Sequence, residues 1–313
     1  MTSRDMILTL AKLVIAAAWA DGEVTREEIN SMKDLLFHLP RRGYKQAPRL
    51  TGREWAMLEM YMETPVGPEE RERLIQQLQA ELATPRDREL AIETLEGLVA
   101  ADGDVTREER AVLDEIKSAL NQVDLSILGR LGRLIQGPLE RRSAAASGPN
   151  RERQLEDFIR NRIYYAVQER LKATGQELNI PDADLRKLSL AGGLMARVAH
   201  VDHDVARDEL DTMIKALQSG WDVSNEAAIF VAKVAISKAS ADLDYYRLTR
   251  EFATSTTREE RARFLDVLFA VAQAGDGISY NENEEIRRIS KSLNLGHQSF
   301  VAARDRVREE GHP

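Results

Sequence analysis

The chain has 313 residues, more than one small core usually organises, and the prior of roughly 100–200 residues per domain predicts two. Hydrophobic residues make up 43% and charged residues 31%, the balance of a folding chain and not of a disordered one. The formal net charge of −8 repels phosphate backbones and excludes a nucleic-acid footprint, while the lack of cysteine excludes disulfides, thiolate nucleophiles, iron–sulfur clusters and cysteine-bound zinc.

Aromatic residues are scarce, and Ala, Leu, Glu, Arg and Gln dominate, side chains that lose little rotamer freedom in a helix. The fold class expected is all-α. Met6 to Ala20 is apolar apart from Thr9 and Lys12 and ends in Ala18-Trp19-Ala20, which mimics a signal-peptidase site. The same pattern returns at Leu98-Val-Ala-Ala-Asp-Gly103, where no targeting signal can act, so a structural repeat explains both. No apolar run reaches the ~20 residues needed to span a bilayer, and the expected location is the cytoplasm.

Apolar spacing predicts helices near 5–20, 25–38, 52–63, 69–83, 85–100, 106–120 and 124–136 in the first half. Several start at a side-chain oxygen able to cap a first turn, among them Thr51 with Glu54 and Thr84 before Pro85. Between Gly137 and Asn150 the periodicity gives way to small and breaker residues. The expected organisation is therefore a helical domain at 1–137, a linker at 138–150 and a second helical domain at 151–313. Helices in the second half are expected near 151–174, 182–200, 206–219, 224–238, 240–253, 257–273, 279–293 and 296–309, with Ser224 and Thr257 among the caps.

Four segments align without a gap: Ala20-Asp-Gly-Glu-Val-Thr-Arg-Glu-Glu28, Ala101-Asp-Gly-Asp-Val-Thr-Arg-Glu-Glu109, Val201-Asp-His-Asp-Val-Ala-Arg-Asp-Glu209 and Ala274-Gly-Asp-Gly-Ile-Ser-Tyr-Asn-Glu282. Each half holds one pair. Apolar residues return downstream at one register, namely Met32, Leu113, Met213 and Ile286.

Two physical readings fit this motif. In the first, Asp-Gly supplies a reversal, Thr25, Thr106 or Ser279 caps the next helix, and Glu28, Glu109 or Glu282 reaches back to complete a capping box. Val24 with Ile29, and Val205 with Leu210, have the spacing of a hydrophobic staple. In the second, Asp-Gly-x-Val-Thr-x-x-Glu reproduces the last part of a calcium-binding EF-hand loop. The earlier ligand positions hold Ala17 and Trp19, or Leu98 and Ala100, so a cation needs oxygens from both turns of a half. A helix N-terminus, partially positive, opposes it.

Val14-Ile-Ala-Ala-Ala-Trp-Ala-Asp-Gly-Glu-Val-Thr-Arg-Glu-Glu28 and Leu98-Val-Ala-Ala-Asp-Gly-Asp-Val-Thr-Arg-Glu-Glu109 resemble the two acidic turns of a TerB-like tellurite-resistance domain, and the second half is similar more loosely. The resemblance implies two tandem domains of about seven helices, a role in stress response, and a metal site at Asp21, Glu28, Asp102 and Glu109, with Asp202 and Glu209 as the second-domain counterparts. In the fourth copy Gly275 stands at the Asp position and Asp276 at the Gly position, a departure from the pattern.

His200, Asp202, His203 and Asp204 form a cluster suited to zinc, manganese or nickel; the alternative is a helix-end histidine beside a turn. Trp19, Trp55 and Trp221, and the pairs Tyr164-Tyr165 and Tyr245-Tyr246, are expected to pack in cores or at helix interfaces. No phosphate loop, nucleophile elbow, zinc-protease pair or dinucleotide fingerprint occurs. The expected protein is non-enzymatic, binds calcium or magnesium in preference to zinc or manganese, and acts through protein partners, with membrane association only through them. The competing expectation is a metal-free helical adaptor.

Overall fold

In the computed structural model, residues 4–21, 24, 29, 50–82, 84–99, 106–123, 150–201, 205–239, 243–275 and 277–310 are described. All regular structure among them is helical, as the sequence predicts. The chain forms two compact units, Met1–Leu155 and Glu156–Pro313.

The first unit contains α1 (Arg4–Ala18), closed by a 3-10 turn at Trp19–Asp21, then α2 (Gly52–Glu63), α3 (Pro68–Glu81), α4 (Pro85–Val99) and α5 (Arg107–Asn121). Helix α1 is the axis of the core and packs against all four others. Every residue from Met6 to Ala18 is buried, which is why the segment reads as apolar all round rather than amphipathic. Thr51 and Glu54 form the expected capping box on α2. Thr84 caps α4 through the N–H of Asp87, whose carboxylate accepts the Thr84 N–H in return. The expected helices 25–38 and 124–136 lie outside the described residues apart from Ile29, which packs against the core as does Val24 before it.

The second unit begins within α6 (Leu155–Arg160) and continues through α7 (Arg162–Thr174), α8 (Asp182–Ala199), α9 (Arg207–Trp221), α10 (Asn225–Lys238), α11 (Tyr245–Ser255), α12 (Arg258–Ala274), α13 (Tyr280–Ser292) and α14 (His297–Glu310). Helix α8 takes the axial place and packs against α7 and α9 to α13. The single helix expected over 151–174 is in fact a 3-10 turn at Arg151–Gln154 followed by α6 and α7. Asn161 makes the break: its side-chain oxygen accepts the Tyr164 N–H at 2.9 Å, and its amide nitrogen donates to the Arg186 carbonyl at 3.0 Å. A buried Asn satisfied in this way competes with continuous helix. Arg151–Leu155, expected to open the second domain, belongs instead to the first unit.

The register that aligns Asp21 with Asp202 sets Lys12 of α1 against Gly193 of α8. A Cβ at Gly193 would stand 2.9 Å from Cγ1 of Ile163, so its absence lets α7 lie close on α8. Where Gly193 admits a helix, Lys12 instead enters a polar network described below.

Candidate cation site at the acidic turns

The helices that follow the turns start alike. Thr106 caps α5, accepting the Glu109 N–H at 3.2 Å, and Oε2 of Glu109 accepts the N–H and hydroxyl of Thr106 at 2.8 and 3.1 Å. Ser279 and Glu282 repeat the arrangement on α13, with 3.2 and 2.8 Å. In the third copy Ala206 has no capping oxygen, so only half of the box forms: Oε2 of Glu209 accepts the Ala206 N–H at 2.6 Å. All three glutamates are buried. Each of them accepts a backbone N–H at the start of its helix. The residues that follow at the common register, Leu113, Met213 and Ile286, are all in the core.

In the second unit the start of the fourth-copy turn meets the start of α9. A Cβ at Gly275 would lie 3.6 Å from Cδ and 3.7 Å from Oε1 of Glu209, so the Asp position of the fourth copy abuts the terminal glutamate of the third. In the first unit the 3-10 turn ending at Asp21 packs against α5, the helix that follows the second turn. Of the sequence candidates, Glu109 and Glu209 are therefore placed at the turns, and Asp21 closes the 3-10 turn. The Asp21 side chain and Glu28, Asp102 and Asp202 lie outside the described residues. Among the described residues no group of three or more His, Asp or Glu side chains is arranged to hold a metal. His200 ends α8, exposed, with its N–H donating to the Ala196 carbonyl at 3.0 Å; the rest of its cluster, 202–204, is outside the described residues.

A buried ionic network in the first unit had only one advance sign, the lysine inside the apolar run of α1. Lys12 Nζ donates to Oε1 of Glu152 at 2.7 Å and stands 5.7 Å from the centre of the Tyr61 ring. The Tyr61 hydroxyl donates to the same Glu152 oxygen at 3.1 Å and accepts from Nη2 of Arg73 at 3.0 Å. The Arg151 guanidinium lies over the Tyr61 ring, 4.7 Å from its centre, forks onto Oε2 of Glu70 through Nε and Nη2 at 2.9 and 2.7 Å, and donates to the carbonyls of Thr64 and Pro65. Burial pushes the Tyr61 phenol far up, with the Glu152 and Glu70 charges adding to it. Burial also raises Glu152, but Lys12 and Arg73 outweigh that and hold the carboxyl below its usual range. The three cations share the two carboxylates, so every charge has an opposite one in ion-pair contact.

Of the tryptophans, Trp19 donates to the Tyr61 carbonyl at 2.9 Å, and Trp55 and Trp221 pack on the two cores. Tyr164 and Tyr165 are buried, whereas Tyr246 is 72% exposed. The expectation that both members of the second tyrosine pair pack at helix interfaces is corrected for Tyr246, since Tyr245 takes the core side of α11.

Each of two helical units has one axial apolar helix, and helices start alike after the repeated turn segments at Thr106, Ala206 and Ser279, which defines a duplicated all-α protein. The model of the family described as tellurite resistance protein TerB matches residues 7–126 and again 188–305, and the chain belongs to that family, with two tandem copies of its domain. Comparison with curated proteins and with solved structures finds no match. No helix among the described residues is long and apolar enough to cross a membrane.

Proposed function

We propose that the chain is a non-enzymatic stress-response protein of the TerB family that binds a divalent cation, calcium or magnesium, at the acidic turns of its first unit and works through contacts with protein partners in the cytoplasm. The observation that carries the reading is the approach of Gly275 to the Glu209 carboxylate. The register that pairs the four turns sets Asp102 at the place of Gly275 and Glu28 at that of Glu209. On that register Asp102 and Glu28 are the proposed pair of hard oxygen donors in the first unit, where the second offers only Glu209, and Asp21 belongs to a turn packed on α5. Calcium and magnesium favour such a donor set. Oε2 of Glu109 is engaged by Thr106, unlike the bidentate glutamate of an EF-hand loop. With glycine at position 275 the second unit does not fit an ion equally well.

Calorimetric titration of calcium, magnesium, manganese and zinc into the metal-stripped full chain tests this. The wild type should give saturable heats with calcium or magnesium, and Asp21→Asn/Asp102→Asn should abolish them. Identical heats from the two proteins would end the cation reading. A metal-free adaptor is the second reading, favoured by the completeness of the capping boxes at Thr106 and Ser279. It expects no heat from either protein.

A further inference from the structure

On a chain whose net charge is −8, one cleft of the second unit is basic. It has a volume of about 660 Å³ and is lined by Arg250, Arg261, Arg288 and Lys291, with Tyr246 and Asn294 among its neutral walls. No carboxylate is among the described residues that line it. Arg250 and Tyr246 come from α11, Arg261 from the first turns of α12, and Arg288 and Lys291 from the end of α13. Arg261 spends one donor on the Thr257 carbonyl at 3.2 Å. Arg288 donates to Glu285 at 3.2 Å, but that glutamate is shared with Arg197 at 2.9 Å, and the Arg288 side chain remains 75% exposed. Arg250 and Lys291 have no ion-pair partner among the described residues.

A bland account is that these cations offset the carbonyl ends of α11 and α13. Each helix end carries only about half a negative charge, so one or two cations would suffice. The duplicated unit supplies an internal comparison. In the register that aligns Thr106 with Ser279 and Glu109 with Glu282, Arg288 falls on Glu115 and Lys291 on Ser118. Glu115 is ion-paired with Arg71 at 3.1 Å. The first unit therefore ends the corresponding helix without a basic pair, and the fold does not require one.

We propose that this cleft of the second unit binds a small polyphosphorylated anion, with Arg250, Arg261, Arg288 and Lys291 receiving the phosphate oxygens and Tyr246 at the rim offering a face to an attached planar group. Arginine forks and a lysine point charge suit phosphate oxygens. The cleft volume is that of a small-ligand site, and the −8 field of the whole chain disfavours an extended polyanion such as nucleic acid.

The test is calorimetry on the full chain at low salt in the presence of chelator, with tripolyphosphate, ATP and adenosine as ligands. Tripolyphosphate and ATP should bind, and adenosine should not. Exchanging the two exposed residues for their first-unit counterparts, Arg288→Glu with Lys291→Ser, should weaken both phosphates at least tenfold while leaving the helical circular dichroism unchanged. Tyr246→Ala should remove any preference for ATP over tripolyphosphate. Absence of heat with both phosphates, or equal affinity in the exchanged variant, would overturn the proposal. Neither outcome depends on the turn site, which lies at other residues.

Discussion

Replacing Arg151 by Met removes both donors on Oε2 of Glu70 while preserving an unbranched, apolar stem of similar reach. Both side chains are only 7% exposed, so the substitution strands a buried carboxylate whose remaining donors, Nη2 of Arg73 and the backbone N–H of position 151, are each 3.4 Å from Oε1. Breaking a buried pair from one side costs about 3–5 kcal/mol, and the residual donors argue for the lower end, about 3. With an m value of about 2 kcal/mol/M for urea, the first unit should lose about 1.5 M in its unfolding midpoint. The three tryptophans allow this to be read locally, because Trp19 and Trp55 belong to the first unit and Trp221 to the second. In a Trp221→Phe background, fluorescence reports the first unit alone. Glu70→Met combined with Arg151→Met should recover most of the loss, since neither charge is then left buried without its partner. A midpoint unmoved by Arg151→Met would refute the reading of this buried ion pair as a stabilising element of the first unit.

Glu81 is pushed above its ordinary value by burial, against hydrogen bonds from Gln77 and Thr9, and its Oε2 has no hydrogen-bond partner among the described residues. A carboxyl raised in the folded state costs stability as pH rises through its folded value, so Glu81→Gln should stabilise the first unit at pH 7 and change little below the unfolded value near 4.5, as denaturation at both pH values would report. Glu54 has the opposite sign: the hydrogen bonds from Arg4 hold it at about 2, so the stability it contributes above pH 4.5 is lost as pH falls toward 2, and Glu54→Gln should flatten that acid limb. Gly193→Ala brings a methyl to 2.9 Å from a fully buried Ile163. The gain of about 1 kcal/mol in helix propensity should be exceeded by an overpacking cost of about 1–3 kcal/mol, giving a lower melting temperature for the second unit. Gly275→Asp restores a carboxylate beside Glu209 without requiring a positive φ. It should destabilise the second unit in chelator through like-charge repulsion, and calcium should reverse the loss.

What could be read from sequence divides along physical lines. Caps are local and chemically explicit, so Thr51, Thr84, Thr106, Ser224, Thr257 and Ser279 all start helices where the side-chain oxygens say they should. The apolar run of α1 was legible as a helix and proves to be buried on all sides, and the apolar residues returning at the repeat register, Leu113, Met213 and Ile286, lie in the core. Asn161 was harder, because a helix break made by one satisfied amide depends on Arg186, which only the fold brings near. The same holds for the Arg151 network, whose partners are separated by up to 140 residues between Lys12 and Glu152. At the turns, the motif pointed to Glu109 and Glu209 and to two competing roles for them. The backbone donors on Oε2 satisfy the capping role, and the cation role rests on convergence of separate turns, which no local pattern encodes.

Terbium luminescence sensitised by Trp19, two positions before Asp21 in the same 3-10 turn, addresses that convergence most directly. If the turns of the first unit share an ion, excitation of the metal-stripped protein with added terbium should give lanthanide emission that calcium displaces and that both Trp19→Phe and Asp102→Asn remove. Emission that survives Asp102→Asn unchanged, or none at all from the wild type, would contradict a cation held jointly by the two turns.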